Sequence, residues 1–353
     1  MKKYLITGGC GFIGSNFIHY LIKNKLVGQI VNLDKLTYAG SKDNLAAIDS
    51  NDYYHFIEGD ISNQQVIRSI LEKYKPDVIV NFAAESHVDR SIDRPAEFIQ
   101  TNVVGTFNLL HESNQWLKNM NNGIKESFKF IHISTDEVYG SLGKTGKFSE
   151  STNYDPSSPY SASKASSDHL ARSWYRTYDF PVLITNCSNN YGPYQFPEKL
   201  IPLMIINALE GKSLPVYGKG LNVRDWLYVD DHCRAIQAII EIGRLGETYN
   251  IGGNNEITNI QIVETICEIL DNEIPLETGK LYKEQIVFVD DRPGHDFRYA
   301  IDATKIEKEL GWKPKENFET GIQKTILWFL TNQDWWRKIQ KLKYKQERLG
   351  MLK

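Results

Sequence analysis

Three glycines at the start of the chain, Gly8, Gly11 and Gly14, constrain its fold more than any other feature. A short apolar run, Lys3 to Thr7, precedes them, and a helical pattern from Phe12 to Lys23 follows. Glycine lets a strand turn sharply into a helix and lets the backbone approach a ligand closely. The helix start then presents unpaired N–H groups and a partial positive charge, which suit a pyrophosphate. Glycine clusters often make turns and nothing more. Here the strand before and the helix after turn the pattern into a dinucleotide-binding signal.

Later segments continue the same alternation. Gln29–Leu33, Tyr54–Gly59, Asp77–Phe82, Phe128–Ser134 and Pro181–Asn186 read as strands, with helices at Gln64–Tyr74, Ala96–Met120 and Tyr160–Tyr178. The expected fold class is α/β, a Rossmann-type doubly wound parallel sheet with a smaller C-terminal α/β substrate domain. The pattern shifts near residue 190, where prolines at 193, 197, 202 and 215 break up shorter elements. Asn255–Leu270 reads as a helix and Ile286–Val289 as a strand. The expected domains are 1–190 for the dinucleotide, 191–336 for the substrate, and a basic tail at 337–353. Short later segments are allowed to return to the first sheet. After Trp335 there are seven Lys/Arg against one Glu, which predicts a solvated helix.

Composition excludes several classes. Apolar residues are 41% and charged residues 24% of 353, which supports more than one core and argues against disorder. A net charge of -3 gives no footprint for nucleic acid. No apolar run approaches the roughly 18 residues of a membrane span. Met1-Lys2-Lys3 is basic, but the apolar stretch after it is too short for a signal peptide. The four cysteines and eight histidines are scattered. That predicts no metal site, thiols in a reducing compartment, and a cytoplasmic protein.

Asp34 closes the second strand, twenty residues after Gly14. An acid there accepts from ribose hydroxyls and repels a 2′-phosphate, so NAD is expected. Lys35 next to it is a cation that could tolerate NADP. Asp60-Ile61 and Ala83-Ala84 follow the third and fourth strands, where they would flank the cofactor. Tyr160 and Lys164 lie four apart on one helix face. A nearby ammonium and a positive nicotinamide ring favour the phenolate, making Tyr160 a base for an alcohol. Thr135, Asp136 and Glu137 fall at the carboxyl end of the fifth strand, the edge that faces the ligand crevice. Two adjacent carboxyls cannot easily both be charged, so one can act as acid and the other as base.

These residues resemble the nucleotide-sugar branch of the extended short-chain dehydrogenase/reductase superfamily. Within it the chain is most similar to the dTDP-glucose 4,6-dehydratases, from residue 1 to about 336. The likeness is carried by the runs Asp34–Gly40, Ala83–Ser91, Ser134–Gly140, Tyr160–Lys164, Cys187–Tyr194, Phe196–Pro202, Arg224–Trp226 and Asp291–His295. It implies that Tyr160, with Thr135, deprotonates the glucosyl C4 hydroxyl while hydride passes to NAD+. Glu137 then removes the C5 proton, Asp136 protonates the departing C6 hydroxyl so that water is lost, and hydride returns to C6 and a proton to C5.

The resemblance also implies cofactor contacts from Gly8, Gly11, Phe12, Ile13, Gly14, Asp34, Lys35, Leu36, Thr37, Asp60, Ile61, Ala83, Ala84, Glu85, Ser86, Thr101, Tyr160, Lys164 and Asn190. Substrate contacts would come from His87, Thr135, Asn189, Lys199, Leu200, Pro215, Val216, Tyr217, Arg224, Asn259, Asp291, Arg292, Pro293, Gly294 and His295. It implies a homodimer through Ala96–Met120 and Tyr160–Tyr178, a dTDP-glucose substrate, and a place in rhamnose or other deoxysugar synthesis for surface polysaccharide. A 4-epimerase, a dehydratase for another nucleotide, and a non-catalytic NAD-binding regulator are the competing readings. The paired carboxyls argue against the epimerase, and the intact Tyr160/Lys164 pair against the regulator.

Overall fold

Along the first strand Tyr4 and Ile6 pack to one side and Leu5 to the other, and all three are buried. A strand buried on both faces belongs inside a parallel sheet covered by helices on each side. That is its place in the computed structural model, which describes residues 1–291 and 295–342. The strands in chain order are β1 (Lys2–Thr7), β2 (Val27–Asp34), β3 (Tyr54–Glu58), β4 (Val78–Asn81), β5 (Lys129–Thr135) and β6 (Val182–Cys187). They continue with β7 (Asn189–Tyr191), β8 (Leu214–Tyr217), β9 (Val223–Tyr228), β10 (Thr248–Ile251), β11 (Glu256–Thr258) and β12 (Ile286–Val289).

The main sheet has seven strands in the order β10-β6-β5-β4-β1-β2-β3, and every neighbouring pair is parallel. The order reverses between β1 and β4, so the crevice of a doubly wound sheet opens at their carboxyl ends. On one face lie the helices Phe12–Lys23 and Val229–Ile242, with Phe17, Leu21, Ile236 and Ile240 in a common core. On the other lie Gln64–Tyr74, Thr106–Lys118 and Pro159–Tyr178, with Ile67, Leu71, Leu109 and Trp174. Residues 229–251 therefore return to the first sheet after the chain has already entered the second domain.

The second domain packs the helices Leu200–Leu209, Asn259–Glu273 and Phe318–Thr331 on a small sheet of β11, β9 and β7. β8 and β12 form a separate parallel pair. The helix predicted over 255–270 starts later, at Asn259, because Glu256–Thr258 pairs with β9 and Thr258 caps the helix. The helix predicted over 96–120 is not uniform. Pro95–Phe98 is α-helical, Ile99–Gly105 is π-helical, and Thr106–Lys118 is α-helical again.

The helix Gln333–Leu342 carries Trp336 into the second core and lays Ile339 against Phe196. Trp335 Nε1 donates to Asn44 Oδ1 at 2.8 Å, and Lys338 Nζ reaches Asp43 Oδ1 at 2.7 Å. The described part of the basic tail is thus docked by an apolar stripe rather than solvated on all sides. The rest of it, 343–353, lies outside the described residues. Among the described residues no helix is long and apolar enough to cross a membrane.

Candidate active site

Gly8 turns the chain out of β1 with φ +69°. A Cβ there would sit 2.7 Å from the Ala83 backbone, and one on Gly14 would sit 2.5 Å from the Gly8 carbonyl. The β1 turn, the β4 end and the helix start are therefore packed backbone against backbone. The helix Phe12–Lys23 begins without a side-chain cap, so its first N–H groups suit an anion. Cys10 turns into the core, where its Sγ accepts from Asn32 Nδ2 at 3.4 Å. Its N–H donates to Asp34 Oδ2 at 2.8 Å, and the N–H of Leu36 donates to Oδ1 at 2.8 Å. Asp34 is thus aimed by the loop it faces. Lys35 pairs with Asp60 at 2.7 Å, which engages the one cation next to Asp34. Backbone crowding, open helix N–H groups and an oriented acid are the parts a dinucleotide needs, and this site has all three.

Thr101, which lines the pocket, lies in the π-helical turn. Asn102 in that turn is fully buried and clamps Glu85, accepting from its N–H at 2.9 Å and donating to its carbonyl at 3.0 Å. It also donates to Ser163 Oγ at 2.8 Å. This clamp ties the strand-four loop to the helix Pro159–Tyr178, and π turns are common where a side chain must be re-aimed.

At the end of β5, Thr135 caps a short 3-10 turn, its Oγ1 accepting from the Glu137 N–H at 3.3 Å. Thr135 also donates to Asp136 Oδ1 at 3.4 Å, and its hydroxyl works against the rise of the Tyr160 value. Burial pushes the Asp136 carboxyl well above the usual range, and the charges of Glu137 and Asp225 add to it, against Arg224. Asp136 is thus held in its acid form. Burial, then Glu137, also push the Tyr160 hydroxyl well above its ordinary value. The sequence predicts a lowering by Lys164. In the folded chain the Lys164 ammonium is directed to the Ile133 carbonyl at 2.8 Å instead. Burial lowers the Lys164 value, and Asp168 opposes it.

One pocket gathers all five expected catalytic residues and every expected cofactor residue except Leu36. Leu36 has φ +56° and serves through its backbone. Of the expected substrate residues, Thr135, Asn189 and Lys199 line this pocket. His87 and Leu200 do not line it; His87 Nε2 is 3.8 Å from Oε1 of Glu198, which does, and Leu200 packs against the second core. Pro215, Val216, Tyr217, Arg224, Asn259, Asp291 and His295 do not line it and belong to the second domain. There His295 Nδ1 meets Asp291 Oδ1 at 2.6 Å, and its ring meets Tyr217 edge-on. Arg224 lies 4.4 Å from the Tyr299 ring and acts electrostatically on Asp136. Arg292, Pro293 and Gly294 lie outside the described residues.

Several pocket residues escape the sequence reading. Gln195, Phe196 and Glu198 line the wall beside Lys199, and Cys187 and Ser188 its floor. Glu198 is buried and bonds Arg90 at 3.1 Å, while burial raises its carboxyl. A buried acid one position before an expected ligand was the available signal. Its partner Arg90 is 108 residues distant in sequence, so the pair was not visible.

A family model described as GDP-mannose 4,6 dehydratase matches residues 5–325. A dTDP-glucose 4,6-dehydratase of Xanthomonas campestris is 54% identical over 350 residues, 99% of each chain. One from Shigella flexneri is 56% identical over 342 residues, 94% of each chain. Among solved structures, the dTDP-glucose 4,6-dehydratase of Bacillus anthracis in complex with NAD superposes with a TM-score of 0.85 at 48% identity, covering 96% of this chain and 100% of that one. A UDP-glucose 4-epimerase of Thermotoga maritima superposes with a TM-score of 0.82 at 29% identity, covering 94% of this chain and 99% of that one. The fold is thus shared by both reactions, and the sequence is much nearer the dehydratases.

Proposed function

The chain belongs to the dTDP-glucose 4,6-dehydratase family, and from that premise we propose that it converts dTDP-glucose to dTDP-4-keto-6-deoxyglucose and water. The observation that carries this is the Asp136/Glu137 pair beside Tyr160: a fully buried carboxyl, which burial disfavours in its charged form, next to a half-buried one in the same pocket. An epimerase needs one base, whereas a dehydratase needs a further acid and base.

NAD, when bound, supplies the hydride acceptor for the C4 alcohol and the donor for C6, and its positive ring favours a phenolate in the pocket. The glycine loop and the helix N-terminus would hold its pyrophosphate, and Asp34 its ribose. Tyr160 takes the C4 hydroxyl proton, with Thr135 sharing the hydrogen bond and Lys164, one turn along the helix, supplying a cation held to the Ile133 carbonyl. The C4 ketone acidifies the C5 proton, which Glu137 removes. Asp136 gives its proton to the C6 hydroxyl, which leaves as water, and Glu137 returns its proton to C5 when C6 is reduced. Lys199, Arg224 and Arg292 would bind the diphosphate, and Tyr217 the nucleobase.

We place the enzyme in the cytoplasm as a homodimer, feeding deoxysugars such as rhamnose for surface polysaccharide. Four buried thiols suit a reducing compartment. Ile99, Phe107, Tyr175 and Tyr178 are exposed on the helices expected to pair, which supports association there. The test is mass spectrometry of purified protein mixed with dTDP-glucose and no added NAD. A product lighter by one water is expected. An unchanged mass, even after NAD is added, would overturn the assignment.

A further inference from the structure

Asp168 lies two turns beyond Tyr160 and one beyond Lys164 on the helix Pro159–Tyr178, and it is fully buried. No step above uses it. Its Oδ2 accepts from the Tyr154 hydroxyl at 2.8 Å, Ser134 Oγ at 2.9 Å and Asn186 Nδ2 at 3.2 Å. Its Oδ1 faces His132 Nε2 at 3.3 Å. An isolated buried carboxylate is costly, and three donors on one oxygen select the charged form. Burial would raise this carboxyl, but His132, Lys164 and Tyr154 outweigh it and hold it low.

The same network carries the reactive end of β5. Asn186 also donates to the Thr135 carbonyl at 3.0 Å, and Lys164 to that of Ile133 at 2.8 Å. A cation as buried as Lys164 needs a nearby anion to stay charged. The ionisable groups around it are Tyr160 and Asp168 on its own helix, His132 on β5, Cys187 at the end of β6, and Asp136 and Glu137 at the pocket wall. Burial and Lys164 keep His132 neutral. Burial pushes the Cys187 thiol up to about 12. Glu137 acts on Tyr160 and Asp136, and Asp168, buried four residues beyond Lys164 on one face of the same helix, opposes the fall in the Lys164 value. Around Asp168 itself stand Tyr139, Tyr154 and, bonded to the Tyr154 hydroxyl at 2.7 Å, Arg172.

We propose that Asp168 is a positioning residue, whose carboxylate keeps Lys164 charged and anchors the strand end that presents Thr135, Asp136 and Glu137. This rests on the assignment of Lys164 and Tyr160 to the reaction. The test uses the holoenzyme with isotope-labelled lysine. The Lys164 Cε signal, identified by its loss in Lys164→Arg, is titrated by NMR in the wild type and in Asp168→Asn.

The midpoint should fall by about one pH unit or more in Asp168→Asn, a tenfold change in the equilibrium. Water loss from dTDP-glucose near pH 8 should fall about tenfold or more. Ser134→Ala and Tyr154→Phe each remove one bond to the same carboxylate but not its charge. Both should keep the wild-type midpoint even where stability drops. An unchanged midpoint in Asp168→Asn overturns the proposal, as does a lowered midpoint with full turnover. If Asp168→Asn does not fold, the wild type decides: Lys164 charged at neutral pH supports the proposal, and Lys164 neutral there overturns it. A wild type that does not dehydrate dTDP-glucose at all sinks the functional assignment and leaves the titration readable.

Discussion

Asp136 and Glu137 are neighbours in the chain but differ in medium: Asp136 is 1% exposed, and Glu137 is half-buried in the pocket wall. The 3-10 turn capped by Thr135 sends one side chain inward and the other toward the cleft. Two identical chemistries thereby acquire opposite roles, because burial disfavours only the charged form.

Asp136→Asn should lose dehydration by about a hundredfold or more, read as water loss by mass spectrometry. The same variant reports a pH effect. With its value raised in the fold, native Asp136 keeps a proton that the unfolded chain releases above the ordinary carboxyl range near 4. Wild-type stability should therefore fall as pH rises from there through the folded value. Asn has no such proton. The melting temperature of Asp136→Asn relative to wild type should climb between about pH 5 and 8, and a flat difference would show that Asp136 ionises normally.

Gly8→Ala should empty the cofactor site. Its φ of +69° is unfavourable for alanine, and the new Cβ would meet the Ala83 backbone at 2.7 Å. We expect a cost of about 1–3 kcal/mol and loss of co-purifying NAD, measured by absorbance after acid release. Full NAD occupancy would mean that the loop relaxes.

Trp336 is 1% exposed in the second core, so Trp336→Ala should cost about 3–5 kcal/mol by denaturant unfolding. Trp335→Phe is subtler. It removes the donor to Asn44, and Tyr38 and Ala39 pack in the same small cluster as Phe196 and Ile339. Because Ala39 and Phe196 line the pocket, this variant should release NAD faster than wild type on dilution, with little change in unfolding midpoint.

The pairing of helices is checked by Phe107→Glu. Phe107 is 37% exposed and stands edge-on to Trp174 of the neighbouring helix. A charge there should halve the mass found by light scattering, while the monomer keeps its circular dichroism. A mass that does not change would place the interface elsewhere.

The strand-turn-helix at Gly8–Lys23 was legible because its glycines, period and length are local properties. So were Asp34, Tyr160, Lys164 and the Thr135–Glu137 run, each tied to one strand end or one helix face. The π turn at Ile99–Gly105 was not, because it depends on Asn102 meeting Glu85, 17 residues away. A return of short later segments to the first sheet was expected from the sequence, but which segment returns was not legible: Thr248–Ile251 is an ordinary buried strand until its neighbour β6 is known.

By itself, then, the sequence determined the strand and helix alternation of the first 190 residues, the dinucleotide loop and the identity of the reactive groups, since these follow from periodicity, turn chemistry and side-chain type. Tertiary structure alone decided how each group ionises. Burial, then Glu137 and Asp225, raise the Asp136 carboxyl, Lys164 turns to Ile133 rather than to Tyr160, and Asp168 is held low where His132, Ser134, Tyr154 and Asn186 converge on it. Desolvation and charge depend on neighbours in space, and those neighbours come from segments that lie far apart in the chain.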